Sequence, residues 1–334
     1  MNILLAYFIK NVEKFKELYY NCYGDFMDNQ HRYQYLDQYL KKRFGSKVFK
    51  VALNGNFTCP NRDGTIQYGG CIFCSDKGSG DFAGNPNDDL SVQFEKVKNL
   101  IHLKWPTAKY IAYFQANTNT YGPIEKLRRL FYEAINLDEN IVALSIATRP
   151  DCLSDEVLDL LGEINRKIPV WVELGLQTIH ESTAEYIHRG YKLDVFEKAV
   201  FDLRARNIEV IVHIINGLPH ETIDMMLETV SYLNCLPIQG IKIHSLFVLE
   251  NTLLASYYQS GDFNEMELDE YILVTAKQLS ILREDIIIHR INGDAPREQL
   301  IAPLWSLKKL VVMNELDKYM KDHDLYQGKE YKKA

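Results

Sequence analysis

The sequence predicts an α/β fold, a parallel sheet with helical crossovers curled into a β/α barrel. Three observations predict it. Six short β-branched or aromatic runs alternate with segments of helical period. Each return between such runs needs a helix, which makes neighbouring strands parallel. Nearly every run ends in a polar cluster, whereas buried parallel strands are normally continuous apolar runs. An open doubly wound sheet would also satisfy the alternation. Six polar ends in register along the repeat favour one common site at the C-terminal rim of a barrel.

The elements follow in order. Residues 1–44 read as helical and tyrosine-rich (Tyr19, Tyr20, Tyr23, Tyr33, Tyr35, Tyr39), with Leu36 and Leu40 four apart. Met27 before Asp28-Asn29 offers an alternative translation start, which would leave the first 26 residues outside the native protein. The strands are KVFKVAL (47–53), KYIAYFQ (109–115), IVALSIA (141–147), VWVELGL (170–176), IEVIVHII (208–215) and GIKIHSLF (240–247). Helices are expected after Pro123, where a proline fits the first turn, over Leu193–Arg206 with Phe196, Val200 and Leu203 on one face, and over Glu221–Leu236. A further strand and turn, DIIIHRINGDAP (285–296), precedes a helix from about Pro303 that carries Trp305. This part is expected to cover an edge or the mouth of the barrel.

The polar ends are specific residues. The first strand leads into a cysteine loop, the second ends Gln115-Ala116-Asn117, and the third runs from Ser145 to Thr148-Arg149. The fourth carries Glu173 and Gln177, the fifth His213 and Asn216, and the sixth Lys242 and His244.

Composition narrows the class. Apolar residues make up 46% of the 334 and charged residues 25%, which is ordinary globular usage. No apolar run is long enough for a membrane-spanning helix, and the N-terminus lacks the basic region and cleavage site of a signal peptide. With six cysteines in such a chain, a reducing, cytoplasmic setting is expected, where clustered thiols mean metal or catalysis. The net charge of −7 gives no overall attraction to nucleic acid. Basic clusters at Lys41-Lys42-Arg43, Lys308-Lys309 and Lys329, Lys332, Lys333 read first as solvated surface.

The chemistry lies in CPNRDGTIQYGGCIFC, residues 59–74. Cys22, Cys152 and Cys235 stand alone, and a lone cysteine is usually a small buried hydrophobe. Cys59, Cys71 and Cys74 instead share a loop punctuated by Pro60, Gly64 and Gly69-Gly70. Structural zinc wants four closed ligands, and no histidine lies between His31 and His102. A zinc site would need a distant fourth ligand. A cubane iron–sulfur cluster held by three thiolates keeps one iron open to an external ligand, and an open position is where chemistry happens.

Three cysteines after the first strand of a β/α repeat, the last two in C-x-x-C, resemble the radical S-adenosylmethionine (SAM) superfamily. The usual spacing there is C-x3-C-x2-C, and this chain has eleven residues in the first gap. The surrounding motifs YFQANTNTY, SIATRPDCL, ELGLQT, HRGY, HIINGLPHET and RINGDAP resemble the YhcC/YtqA-like family from about residue 28 to 325. That resemblance implies a partial (β/α)6 TIM-like barrel. The organisation expected is an N-terminal helical extension over 1–46, a radical SAM core over 47–250 and an associated C-terminal region over 251–334.

It also implies cofactors and contacts. Cys59, Cys71 and Cys74 would hold a [4Fe–4S] cluster whose open iron is chelated by SAM, and reductive cleavage would yield a 5′-deoxyadenosyl radical that takes hydrogen from substrate. Phe73 would lie beside the adenine, Gln115 and Asn117 near the methionine amino group, and Ser145 and Arg149 against cofactor or substrate. Glu173 would accept from ribose hydroxyls, Gln177 and Arg189 would hold the methionine carboxylate, and His213 and Asn216 would stand near the adenosine. No residue is singled out as catalytic. The family resembles the radical core of the elongator catalytic subunit. That implies tRNA as partner, with a wobble-uridine 5-carboxymethylaminomethyl group processed toward aminomethyl and an electron donor such as flavodoxin or ferredoxin. A small metabolite or tetrapyrrole as substrate is the second enzymatic reading. An iron–sulfur redox carrier or sensor is the non-enzymatic one, and it gains nothing from an open iron or from polar strand ends.

Overall fold

The computed structural model describes residues 32–332. The tyrosine-rich stretch up to Tyr23, Cys22, the alternative start at Met27 and Lys333 lie outside the described residues. The first described helix, α1, spans Leu36–Phe44 after an extended Tyr35 and ends on Gly45 at φ 68°.

Seven parallel strands form one sheet: β1 (Val48–Leu53), β2 (Lys109–Phe114), β3 (Ile141–Thr148), β4 (Val170–Gln177), β5 (Glu209–Asn216), β6 (Gly240–Ser245) and, after a short β7 (Val248–Leu249), β8 (Ile287–Arg290). Their spatial order, β1-β2-β3-β4-β5-β6-β8, follows the chain, with every pairing parallel. Such an order curls the sheet one way, and β1 does not pair with β8, so the barrel stays partial. The crossovers are α2 (Leu90–His102), α3 (Ile124–Ile135), α4 (Asp155–Asn165), α5 (Glu181–Tyr186) with α6 (Leu193–Ala205), α7 (Ile223–Leu233), and α8 (Leu253–Gln259) with α9 (Leu268–Ile281). A final β9 (Leu300–Ala302) pairs antiparallel with β7, and α10 (Lys309–Asp322) follows.

The edges are covered. Residue α1 packs on both β1 and β8, Tyr35 bridges Ile288, and the Ile288 N–H donates to the Gln34 carbonyl. An unpaired β8 would otherwise present a row of open amide groups. Trp305, expected in a helix, stands in a 3-10 turn (Leu304–Leu307), where its ring N–H reaches the Met266 carbonyl at 2.9 Å, and α10 starts four residues later.

Strand side chains alternate between faces, which builds the interior in layers. Val48, Ile111, Ala143, Trp171 and Ile211, with Leu40 of α1, make an apolar floor. Two residues further along each strand come Lys50, Tyr113, Ser145, Glu173, His213 and Lys242. Another two along, Gln115, Ala147, Gly175, Ile215 and His244 open onto a cavity. The outward faces of the same strands pack the main core beneath the helices.

Candidate active site

The cavity, about 300 Å³, is bordered by Cys59, Cys71 and Cys74 and by strand ends β2 to β6. Its thiol loop is strapped down at both ends. The Arg62 and Asp63 amides donate to the Cys59 carbonyl at 2.8 and 3.2 Å, and Cys74 N–H donates to Cys71 O at 3.0 Å. Asn61 is buried and ties the loop to the chain after α5, donating to His188 O (2.8 Å) and Arg189 O (3.1 Å) while lying 3.5 Å from Cys71 Sγ. Gly190, at φ 81°, leaves room for this, since a Cβ there would stand 2.5 Å from Asn61 Oδ1.

The thiols suit a polynuclear cluster. The three thiols border one cavity, as an iron–sulfur cluster with one thiolate per iron requires. A hydrogen bond from Cys74 lowers Cys71 to about 7 against the effect of burial, with Arg149 and Asn61 assisting. Cys74 is raised by the same bond and by burial. Of the lone cysteines, Cys235 is exposed and Cys152 half-buried, so neither is the buried hydrophobe expected.

The structure brings Phe73, Gln115, Asn117, Arg149, Gln177, Arg189 and His213 to the cavity wall. Gln115 Nε2 holds Ser79 O at 2.9 Å, and Asn117, at φ 60°, donates to Phe57 O at 3.1 Å. Gln177 reaches the wall at φ 64°, where the β4–β5 register shifts. Arg149 grips Asp151 through Nε (2.9 Å) and Nη2 (2.7 Å) and donates Nη1 to Arg189 O. Arg189 is itself buried, with donors on the carbonyls of Leu176, Thr178 and Tyr191. Little of its guanidinium is left for a carboxylate, contrary to expectation. Its ring-facing side and that of Arg149 sandwich Tyr191, each 4.8 Å from the ring centroid.

Three expected contacts are corrected. Asn216 has the opposite strand parity to His213 and points outward, exchanging 2.8 Å hydrogen bonds with Gln278 of α9. Ser145 lies one layer below the rim, its hydroxyl 2.8 Å from Glu173 Oε1. Glu173 borders the cavity, but its two oxygens are taken: Oε1 by Lys50 and Ser145, Oε2 by Tyr113 (2.8 Å), His213 (2.9 Å) and Lys242. A carboxylate offers about four lone-pair directions, so none remains for a ribose. Burial alone would raise the Glu173 carboxyl, but Lys242, Lys50 and His213 hold it well below the usual range. Burial lowers His213 to about 4 and Lys242 to about 7, and takes His244 well below its ordinary value. Lys50, Tyr113, Asn61 and Tyr191 were not picked out from the sequence; the strand parity shared with Glu173 is the signal that would have found the first two.

A partial parallel β/α barrel with a three-thiol loop after its first strand defines an iron–sulfur enzyme that works at the C-terminal rim of its strands. Residues 58–233 match the model of the Radical SAM superfamily, and residues 238–322 that of the Radical_SAM C-terminal domain. The chain belongs to the radical SAM superfamily and, within it, to the YhcC/YtqA-like family. YtqA of Bacillus subtilis (strain 168) is 49% identical over 91% of this chain and 94% of its own length. YhcC of Escherichia coli (strain K12) is 38% identical over 85% of this chain and 91% of its own. A more distant match, the tRNA uridine(34) acetyltransferase of Methanocaldococcus jannaschii, is 26% identical over 56% of this chain and 34% of its own. The solved structure of Methanocaldococcus infernus Elp3 with an N-terminal deletion shares the fold, with a TM-score of 0.63 at 21% identity over 84% of this chain and 64% of that one. The superfamily's cofactors are a [4Fe–4S] cluster and SAM.

Proposed function

We propose that this radical SAM enzyme modifies the tRNA wobble uridine, processing a 5-carboxymethylaminomethyl-type side chain toward an aminomethyl one. The observation that carries this reading is the match to an enzyme whose own name places its action on tRNA uridine 34. The Elp3 fold likeness supports the architecture.

Cys59, Cys71 and Cys74 would hold the cluster, which when bound would supply the single electron for SAM cleavage. Arg62 and Arg149, whose charges lie near the thiols, favour their ionised form. Phe73 offers the adenine an apolar face. Gln115 is held on Ser79 O and Asn117 on Phe57 O, on either side of the cysteine loop, which leaves their amide oxygens for the amino-acid part of SAM. Arg149 and Arg189 pack on the Tyr191 ring, whose hydroxyl donates to Gly175 O and so fixes the end of β4 that carries Gln177. A cavity with these walls excludes water while the reacting groups are aligned. The target base would reach it extruded from its stack.

The test is 5′-deoxyadenosine formation after anaerobic reconstitution with iron, sulfide and a strong reductant. Undermodified tRNA is expected to stimulate cleavage in the intact protein and not in the Cys59→Ala, Cys71→Ala, Cys74→Ala triple variant. Cleavage of SAM that no tRNA stimulates would remove the tRNA reading and leave the radical chemistry.

A further inference from the structure

The charged layer under the cavity is unbalanced. Among the described residues it holds two lysines, Lys50 and Lys242, and a single carboxylate, Glu173, all buried or nearly so. Lys50 turns toward the open edge of the barrel, where it lines a separate small pocket with Tyr35, Asp37 and Arg290. Lys242 is buried and lines the thiol cavity itself. The groups that face it are Glu173 from β4, Lys50 from β1, Tyr113 from β2 (3.3 Å) and Arg290 from β8, with His213 and His244 beside them. Both histidines are pressed toward their neutral form by burial. Of the acidic residues bordering the same cavity, Asp294 is engaged with Arg290 and Lys309, and Asp81 with the Ser75 hydroxyl. A buried lysine that shares its counter-charge gives up its proton more readily, as the value of about 7 for Lys242 shows, or holds it when a second anion joins.

We infer that Lys242 receives the carboxylate of the molecule being modified, which enters the cavity as the second anion of this layer. Which carboxylate this is rests on the reading above: the carboxymethylamino group of the wobble uridine carries one, and its aminomethyl product does not. Lys242 is thereby a specificity residue, separating substrate from product by charge. Tyr113 and His244 stand next to it as neutral polar neighbours, and the buried His244 Nε2 has no hydrogen-bond partner among the described residues. The other carboxylate in reach is that of SAM.

The experiment uses the reconstituted protein with SAM and two tRNAs that differ only in carrying carboxymethylaminomethyl or aminomethyl at the wobble uridine. A charge-assisted hydrogen bond predicts about tenfold tighter binding of the first. Lys242→Met is expected to bind both with the weaker affinity, and Lys242→Arg to keep the preference. Because Lys242→Met leaves Lys50 and Glu173 as a neutral pair, it is expected to fold. Preference retained in Lys242→Met would overturn the inference. So would a loss of SAM affinity in Lys242→Met with tRNA discrimination unchanged, because the carboxylate at Lys242 would then be the cofactor's. If tRNA proves not to be the substrate, small probes still decide. Sarcosine should raise the thermal midpoint of the intact protein at pH 6, sarcosinamide, which keeps the ammonium but lacks the carboxylate, should not, and Lys242→Met should respond to neither. Equal shifts with both probes would refute the subsite independently of tRNA.

Discussion

His213 Nε2 lies 2.9 Å from Glu173 Oε2, a buried carboxylate that stays ionised while the imidazole stays neutral. Burial lowers His213 to about 4, with Lys242 adding to the drop and Glu173 opposing it. A depressed folded-state value means that the unfolded chain takes up the proton first as pH falls. The stability His213 contributes is therefore present above about 6.5 and lost between there and about 4, amounting to about 2 kcal/mol by pH 5. Urea midpoints measured from pH 7.5 to 4.5 should fall, and His213→Gln should flatten part of that slope. Parallel curves for the two proteins would mean that His213 titrates normally.

Glu173 is expected to be the most sensitive residue of the charged layer. Replacing it by Gln removes the only carboxylate shared by Lys50 and Lys242. Breaking a buried ion pair by deleting one partner costs on the order of 3–5 kcal/mol. Glu173→Gln should show that loss in urea denaturation, whereas Lys242→Met, which leaves one pair intact, should stay within about 1 kcal/mol of the parent. Equal losses would show that the layer does not behave as one anion shared by two cations.

Much of this arrangement was legible before any coordinates. The β-branched runs located all six predicted strands, because a parallel sheet buried on both faces admits little else. The cysteine spacing and its glycine-rich setting pointed to the loop. The strand ends, however, were read as one polar rim, and that mixed two parities. Asn216 and His213 are both polar and on β5, yet three residues apart they face opposite sides of the sheet. Ser145 and Glu173 share the inward parity but stop one layer short of the rim residues Ala147 and Gly175. Lys50 and Tyr113 escaped notice for another reason: each is 60 or more residues from Glu173 in sequence, and nothing local marks either as its partner.

The anchoring of the thiol loop by Asn61 is testable through glycine. Gly190 has φ 81° and a Cβ there would meet Asn61 Oδ1 at 2.5 Å. Gly45 has φ 68° at the end of α1, with nothing within 4 Å of an added Cβ. Both Ala substitutions incur the left-handed backbone penalty, roughly 1 kcal/mol. Only Gly190→Ala should also displace Asn61 and lower the iron and sulfide retained after reconstitution, to less than about half of the parent if the Asn61 strap, beside those of Gln67 to His188 O and Ile72 to Ile187 O, is the one that holds Cys71 in place. Equal iron content in the two variants would mean that the loop does not depend on this strap.

Tyr191 offers the last test, because two arginines lean on one ring. Arg149 and Arg189 each lie 4.8 Å from its centroid, and its hydroxyl donates to Gly175 O at 2.5 Å and lies 3.2 Å from Gln177 Oε1. A desolvated cation–π contact is worth about 2 kcal/mol, against about 1 kcal/mol for a hydroxyl hydrogen bond. Tyr191→Phe keeps both cation contacts and loses the hydroxyl's hydrogen bond to Gly175 O, which fixes the end of β4 that carries Gln177, so SAM affinity measured by equilibrium dialysis should fall about fivefold. Tyr191→Ala removes the ring on which both guanidiniums pack and the wall beside Gln177, and a fall of about thirtyfold or more is expected. Iron content, unchanged in both variants, separates this from damage to the thiol loop. If Tyr191→Ala binds SAM as the parent does, the stack only supports the turn after α5 and the cofactor lies elsewhere along the cavity.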